Sequence, residues 1–242
     1  MKLNVLVKLL FLITLTATCS SCLLFVDGTV GKGAVIEESI SVSDFFKIEN
    51  SSSAEVTVVK GDSLQVKLSD YENLIEYWDI KVVDNTLHIQ TKPFSSLINS
   101  KAKVTIITPA DVTQVKVSGS GHLYLHDAFT ELERASIIGS GNIIGSVNTV
   151  YDSLSLSISG SGSFTLTGTA NDLTTATSGS GKMNLFGITA KSTICTISGS
   201  GNVYVDVVDY LNVLISGSGD VVYKGNPIID AHVTGSGRVR HY

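Results

Sequence analysis

The sequence predicts an all-β chain folded as a single-stranded right-handed parallel β-helix, with about 18–21 residues per coil and irregular N-terminal coils. Three observations predict it. A Gly-Ser-Gly triplet recurs seven times: Gly119-Ser120-Gly121, Gly139-Ser140-Gly141, Gly160-Ser161-Gly162, Gly179-Ser180-Gly181, Gly199-Ser200-Gly201, Gly217-Ser218-Gly219 and Gly235-Ser236-Gly237. Successive spacings are 20, 21, 19, 20, 18 and 18 residues. Apolar and polar residues alternate on both sides of each triplet, and equivalent slots keep their character from repeat to repeat.

Two residues before each first glycine stand Val117, Ile137, Ile158, Thr177, Ile197, Ile215 and Val233. Two after each last glycine stand Leu123, Ile143, Phe164, Met183, Val203, Val221 and Val239. The slots between hold Lys116, Ser157, Thr196, Asn142, Lys182 and Asp220. Alternation of period two marks a strand with one buried face. Each repeat thus reads as a strand, a glycine corner, a second strand and a closing polar loop. Glycine suits the corner because it accepts backbone angles that side chains forbid. One such unit cannot bury its apolar face alone, so neighbouring coils must stack to make a core. An up-and-down barrel is the rival reading. It needs good turns between the triplets, where 127–131, 169–172 and 206–209 are long and irregular.

The front half reads as strands near 35–42, 46–49, 54–60, 64–68, 80–83, 86–90 and 102–108, with a short helix over 70–77. Lys60-Gly61-Asp62 and Asp84-Asn85 are turn sites. Residues 49–54, Glu-Asn-Ser-Ser-Ser-Ala, look like a degenerate corner. These segments are expected to cap the regular stack, giving one domain over 35–242.

Residues 1–21 have the layout of an export signal: Lys2 and Lys8, an apolar stretch from Leu9 to Leu15, then small residues before a cysteine. The stretch is too short to span a bilayer, which takes about 20 apolar residues. Small residues before a cysteine resemble the bacterial lipobox, so Cys22 is the expected lipidation site, with Cys19 the alternative. Residues 22–34 then form the lipidated N-terminus and a tether. The membrane would be a partner through this anchor, placing the chain at the outer membrane with the leaflet open.

Without 1–21 the chain holds 15 basic against 22 acidic side chains, a net charge of −7. Such a surface lacks the Lys and Arg footprint that phosphate backbones require, which argues against nucleic acid as a partner. With Cys22 acylated, Cys195 is the one thiol left, in an inward slot that suits a small buried hydrophobe.

Phe46-Lys47-Ile48, Ala54-Glu55-Val56-Thr57-Val58, Asn85-Thr86-Leu87-His88-Ile89 and the repeated Ser-Gly-Ser-Gly-x-apolar-x-apolar together resemble the putative auto-transporter adhesin, head GIN domain family. The likeness covers roughly residues 45–241, and the repeated motif is its most specific part. Ile138 departs from it, standing where Ser118, Ser159, Ser178, Ser198 and Ser216 occur. The resemblance implies the β-helix, a bacterial envelope lipoprotein and an adhesive role, and it brings no catalytic residues.

The chemistry of individual motifs points the same way. Gly139-Ser140-Gly141-Asn142-Ile143-Ile144-Gly145 approaches a dinucleotide fingerprint, but a strand follows where a helix must. The slot His122, Asn142, Ser163, Lys182, Asn202, Asp220, Arg238 mixes cations with oxygens, unlike a calcium ladder. His122 and His126, about 13 Å apart along a strand, cannot share one ion. No metal and no cofactor is therefore expected.

Asp127, Asp152, Asp172, Asp206 and Asp230 are scattered over different repeats, whereas glycoside hydrolysis needs two carboxylates across a cleft. The expectation is a non-catalytic binding or structural module. The alternative is a polysaccharide lyase or hydrolase on the same scaffold. Tyr124 and Tyr204, sharing an outward slot, are the candidate contacts for a glycan or protein, with Tyr151 and Tyr210 nearby. At the far end Arg238, Arg240 and His241 suggest either a charged cap on a monomer or an end-to-end dimer.

Overall fold

The computed structural model describes residues 28–148 and 153–242. The leader, Cys19, Cys22, Tyr151, Asp152 and the side chain of Asp127 lie outside the described residues.

Strands entering the corners form one ladder and strands leaving them form another. In the entering ladder Val117, Ile137, Ile158, Thr177, Ile197, Ile215 and Val233 follow one another in register. In the leaving ladder the column is Leu123, Ile143, Phe164, Met183, Val203, Val221 and Val239. Every pairing between these coils is parallel, which rules out the barrel. The fold is a β-solenoid, and its columns are the core: Ile158, Ile197, Ile215, Phe164 and Met183 are all buried.

Two expectations for the repeats need correction. The coils were expected to close through polar loops, yet Ser163–Gly179, Lys182–Gly199 and Asn202–Gly217 are strands that run from corner to corner. Stacked neighbours satisfy the backbone there, and a third buried column, Leu154, Leu173, Thr193, Leu211, supplies apolar filling. Val233, expected in the core, is 39% exposed because its coil is the last and has a neighbour on one side alone.

The corners explain their glycines. Gly139 has φ +121°, and a Cβ there would sit 2.7 Å from the Gly119 carbonyl oxygen. That oxygen accepts from the N–H groups of Ser140 and Gly141, at 3.0 and 2.9 Å. At Gly162 a Cβ would meet the buried Ile137 side chain at 2.6 Å. The first glycine thus supplies a backbone angle and the second supplies room. Similar bonds link the later corners up to Ser236 and Gly237, both of which donate to the Gly217 carbonyl.

Residues 49–54 do form a corner. Ser118, Gly121 and His122 donate their N–H groups to the carbonyls of Asn50, Ser52 and Ala54. The buried Asn50 side chain holds the bend by accepting from Ser52 N and Oγ and donating to the Ala54 carbonyl.

The order of the front coils is not sequential. Lys47–Asn50 lies between Thr86–Thr91 and Gln114–Val117, parallel to both. Glu55–Lys60 likewise lies between Lys103–Thr108 and His122–Phe129. The 86–108 coil is therefore outermost, although 47–60 precedes it in the chain. Antiparallel strands cover it: Trp78–Val83 on one ladder, and Gln65–Tyr71 followed by Val35–Ile40 on the other.

Behind these strands the buried Asp70 carboxylate accepts from Tyr71 N, Trp78 Nε1, Ser100 Oγ and Lys101 N, at 2.8, 3.1, 2.7 and 2.9 Å. Much of the expected tether belongs to this cap, because Thr29–Val30 pairs in parallel with Leu97–Ile98.

Candidate functional site

The outward slot of the leaving ladder runs Tyr124, Ile144, Thr165, Asn184, Tyr204, Val222, Arg240. Tyr124 and Tyr204 do share it, as read from the sequence. Four rungs separate them, about 19 Å at the usual strand spacing, so they do not form one site. Tyr124 sits between His122 and His126, with ring centroids 6.5 Å from each. His122 bonds Asn142 through Nδ1 at 3.0 Å, and Ser163 Oγ donates to Asn142 Oδ1 at 2.6 Å.

Tyr204 belongs to a cluster. Its ring meets Phe186 edge-on at 5.5 Å, and Phe186 meets Tyr242 edge-on at 4.9 Å. Lys224 Nζ lies over both Phe186 and Tyr242, at 4.4 and 4.9 Å, and Lys182 Nζ lies over Tyr204 at 5.0 Å. Tyr242 is held by its N–H, which donates to the Tyr223 carbonyl at 2.9 Å.

A β-bulge places Phe186 there: the pairing of Lys182–Gly199 with the next strand skips from Leu185 to Thr189. Bulges re-aim side chains in this way. Sequence reasoning missed Phe186, Lys224 and Tyr242. The available signal was coil length, since Gly179 to Gly199 takes 20 residues and Gly199 to Gly217 takes 18.

The cluster joins ring faces to ammonium groups, an arrangement suited to stacking on sugar rings and to pairing with an acidic group. A second patch lies on the entering ladder near the cap. It is a shallow depression of about 270 Å³ lined by Lys47, Glu49, Gln114, Lys116 and Arg134, among others. Burial raises the Glu49 pKa. The Lys116 ammonium 2.8 Å away, the Ser118 hydroxyl and His88 outweigh it and hold the carboxyl below its ordinary range.

The described turn aspartates read from the sequence lie opposite non-acidic partners. Asp206 pairs in register with Lys224, Asp172 with Ser192, and Asp230 with Asn212. Among the described residues no three His, Cys, Asp or Glu side chains come together to hold a metal ion. Burial pushes the Cys195 thiol up to about 12, against a weaker opposing hydrogen bond with Thr175. Such a thiol is not a nucleophile at neutral pH.

Residues 44–227 match the family model described as putative auto-transporter adhesin, head GIN domain. The chain belongs to this family. Solved structures share the fold of this head GIN chain. A putative lipid binding protein from Parabacteroides distasonis ATCC 8503 is 24% identical with a TM-score of 0.74, covering 89% of this chain and 100% of that one. A putative adhesin from Parabacteroides merdae ATCC 43184 is 23% identical with a TM-score of 0.71, covering 89% and 99%. A putative adhesin from Bacteroides fragilis NCTC 9343 is 19% identical with a TM-score of 0.77, covering 89% and 100%. No curated protein matches the chain.

Proposed function

We propose that this head GIN chain is a non-catalytic lipoprotein of the cell envelope, anchored through Cys22, that binds a glycan or protein on the leaving face of its solenoid. The carrying observation is the Phe186, Tyr204, Tyr242 and Lys224 cluster. A bulge raises one ring from the ladder toward another, and two ammonium groups crown the set. Packing of the core does not require this, because the inward columns of the same coils are already filled. Relatives named as adhesins support a surface role.

Glycan-array and pull-down binding with residues 23–242 tests the reading. Replacing Phe186 and Tyr204 with alanine is expected to weaken the captured ligand at least about tenfold, the scale of an aromatic hot spot. The melting temperature should move little. Equal binding by the double variant would remove the cluster as the site. Turnover of uronate polymers by the unmodified chain would favour the lyase reading instead.

A further inference from the structure

The docked N-terminal segment brings a particular surface close to the expected lipid anchor. Thr29 N donates to the Ser96 carbonyl at 2.7 Å and Gly31 N to the Ile98 carbonyl at 2.9 Å. Asn73 clasps the same segment, accepting from Lys32 N at 2.8 Å and donating to the Val30 carbonyl at 2.9 Å. Six peptide steps separate Cys22 from Gly28, a reach of at most about 20 Å at full extension. The acyl chains are thus tied on a short lead to the connection at 92–98.

That connection is unusual. It takes the corner position of the outermost coil, because the strands it joins pair with Lys47–Asn50 and Glu55–Lys60. In place of glycines it presents Phe94, which is 100% exposed and has φ +63°. Few bulky residues adopt that conformation. Beside it Val30 and Ile98, partners in the small parallel sheet, are 37% and 43% exposed. Lys92 is exposed two residues before Phe94. An apolar tip with a flanking lysine is the composition that settles at a lipid–water boundary, ring among the acyl chains and ammonium at the headgroups.

We infer that the Phe94 loop inserts into the bilayer that holds Cys22, a second contact that fixes the rod's orientation; this rests on the anchor reading above. A single point of attachment leaves a rod free to tumble. Two contacts at one end set the cap against the lipid and point the opposite end away. The last coil stands eight rungs from the outermost one, roughly 40 Å along the stack at the usual strand spacing. The aromatic cluster lies toward that distal end. Insertion thus holds it clear of the membrane surface, and no acidic lipid is required, since the ring supplies the contact.

The test uses the full chain, expressed with its leader in a host that processes lipoproteins and reconstituted into phosphatidylcholine vesicles. An environment-sensitive fluorophore is placed on Ser95→Cys, beside the retained Phe94 ring, and, in a second variant, on Thr234→Cys at the far end. The buried Cys195 stays unlabelled while the chain is folded, which checks both variants. The Ser95→Cys label is expected to shift to the blue and to lose about half its emission or more to lipids brominated on the acyl chain, and replacing Phe94 with serine beside it should abolish both changes. The Thr234→Cys label should respond to aqueous iodide alone.

If the chain floats with the vesicles but both labels are equally open to iodide, the insertion is overturned and the anchor stands. If the chain does not float, the anchor itself is overturned and the insertion goes with it. Loss of flotation in Cys22→Ala assigns the anchor to that residue.

Discussion

The coils after residue 113 and the cap before it close the same solenoid by different means. In the stack each coil meets the next through repeated parts: a glycine corner, two or three apolar columns, and parallel bonds that keep register on the strands entering the corner. No one residue is decisive, and stability is spread over near-equal interfaces. The cap cannot repeat, because its outer edge has no further coil to meet. It closes with antiparallel strands and ties them with a single buried carboxylate, Asp70, which serves four donors. A repetitive region tolerates uneven filling, whereas a terminus concentrates its stability in few groups.

The sharpest way to break this comparison is Asp70→Ala. It leaves the donors of Trp78, Ser100, Lys101 and Tyr71 without their shared acceptor, that of Trp78 buried, at a cost of about 3 kcal/mol. Hydrogen exchange should show the cap opening while amides near Ile197 and Ile215 remain protected. Uniform loss across both regions would mean that they unfold as one.

Gly160→Ala is expected to cost about 2–3 kcal/mol, since it places a side chain at φ +128° and against the corner below. Urea unfolding should register it, with the damage centred on neighbouring coils. Thr177→Val runs the other way. Its hydroxyl is buried without a partner, as is that of Thr193. Removing the hydroxyl should raise stability by about 1 kcal/mol, visible as a higher melting temperature.

The smallest effect is electrostatic. The Glu49 pKa lies below its ordinary value of 4.5, so its contribution is full above that pH and is lost as the pH falls through the folded value. Glu49→Gln should flatten the acid limb of the stability curve slightly, by less than the Asp70 effect.

The same contrast explains what was legible in the sequence. The stack could be read because its signals are local: glycine triplets and period-two alternation lie within one coil. The degenerate corner at Asn50 was readable for the same reason, and so was the hairpin at Asp84-Asn85, where both residues have positive φ. The order of the front coils was not readable, because Lys47–Asn50 chooses partners at 86–91 and 114–117, distant in sequence on the same side. Asp70 reads from the sequence as the start of a short helix, whereas the strand Gln65–Tyr71 carries it and the helix is Glu72–Ile75; its role shows once Tyr71, Trp78, Ser100 and Lys101 converge on it. At the site, Tyr204 followed from alternation, while Phe186 depended on a bulge that breaks it.

The displaced order of the front coils has a consequence for assembly. Residues 47–60 are synthesised before either of the strands that will flank them, so this rung must wait, with both edges bare, for chain that has yet to emerge. Neither half of the molecule is complete alone. A cut in the 109–112 link would leave two pieces, with the earlier one supplying the seat on which the later one's first coil rests. The two pieces should recombine as a split protein, zipped through backbone bonds along the severed boundary.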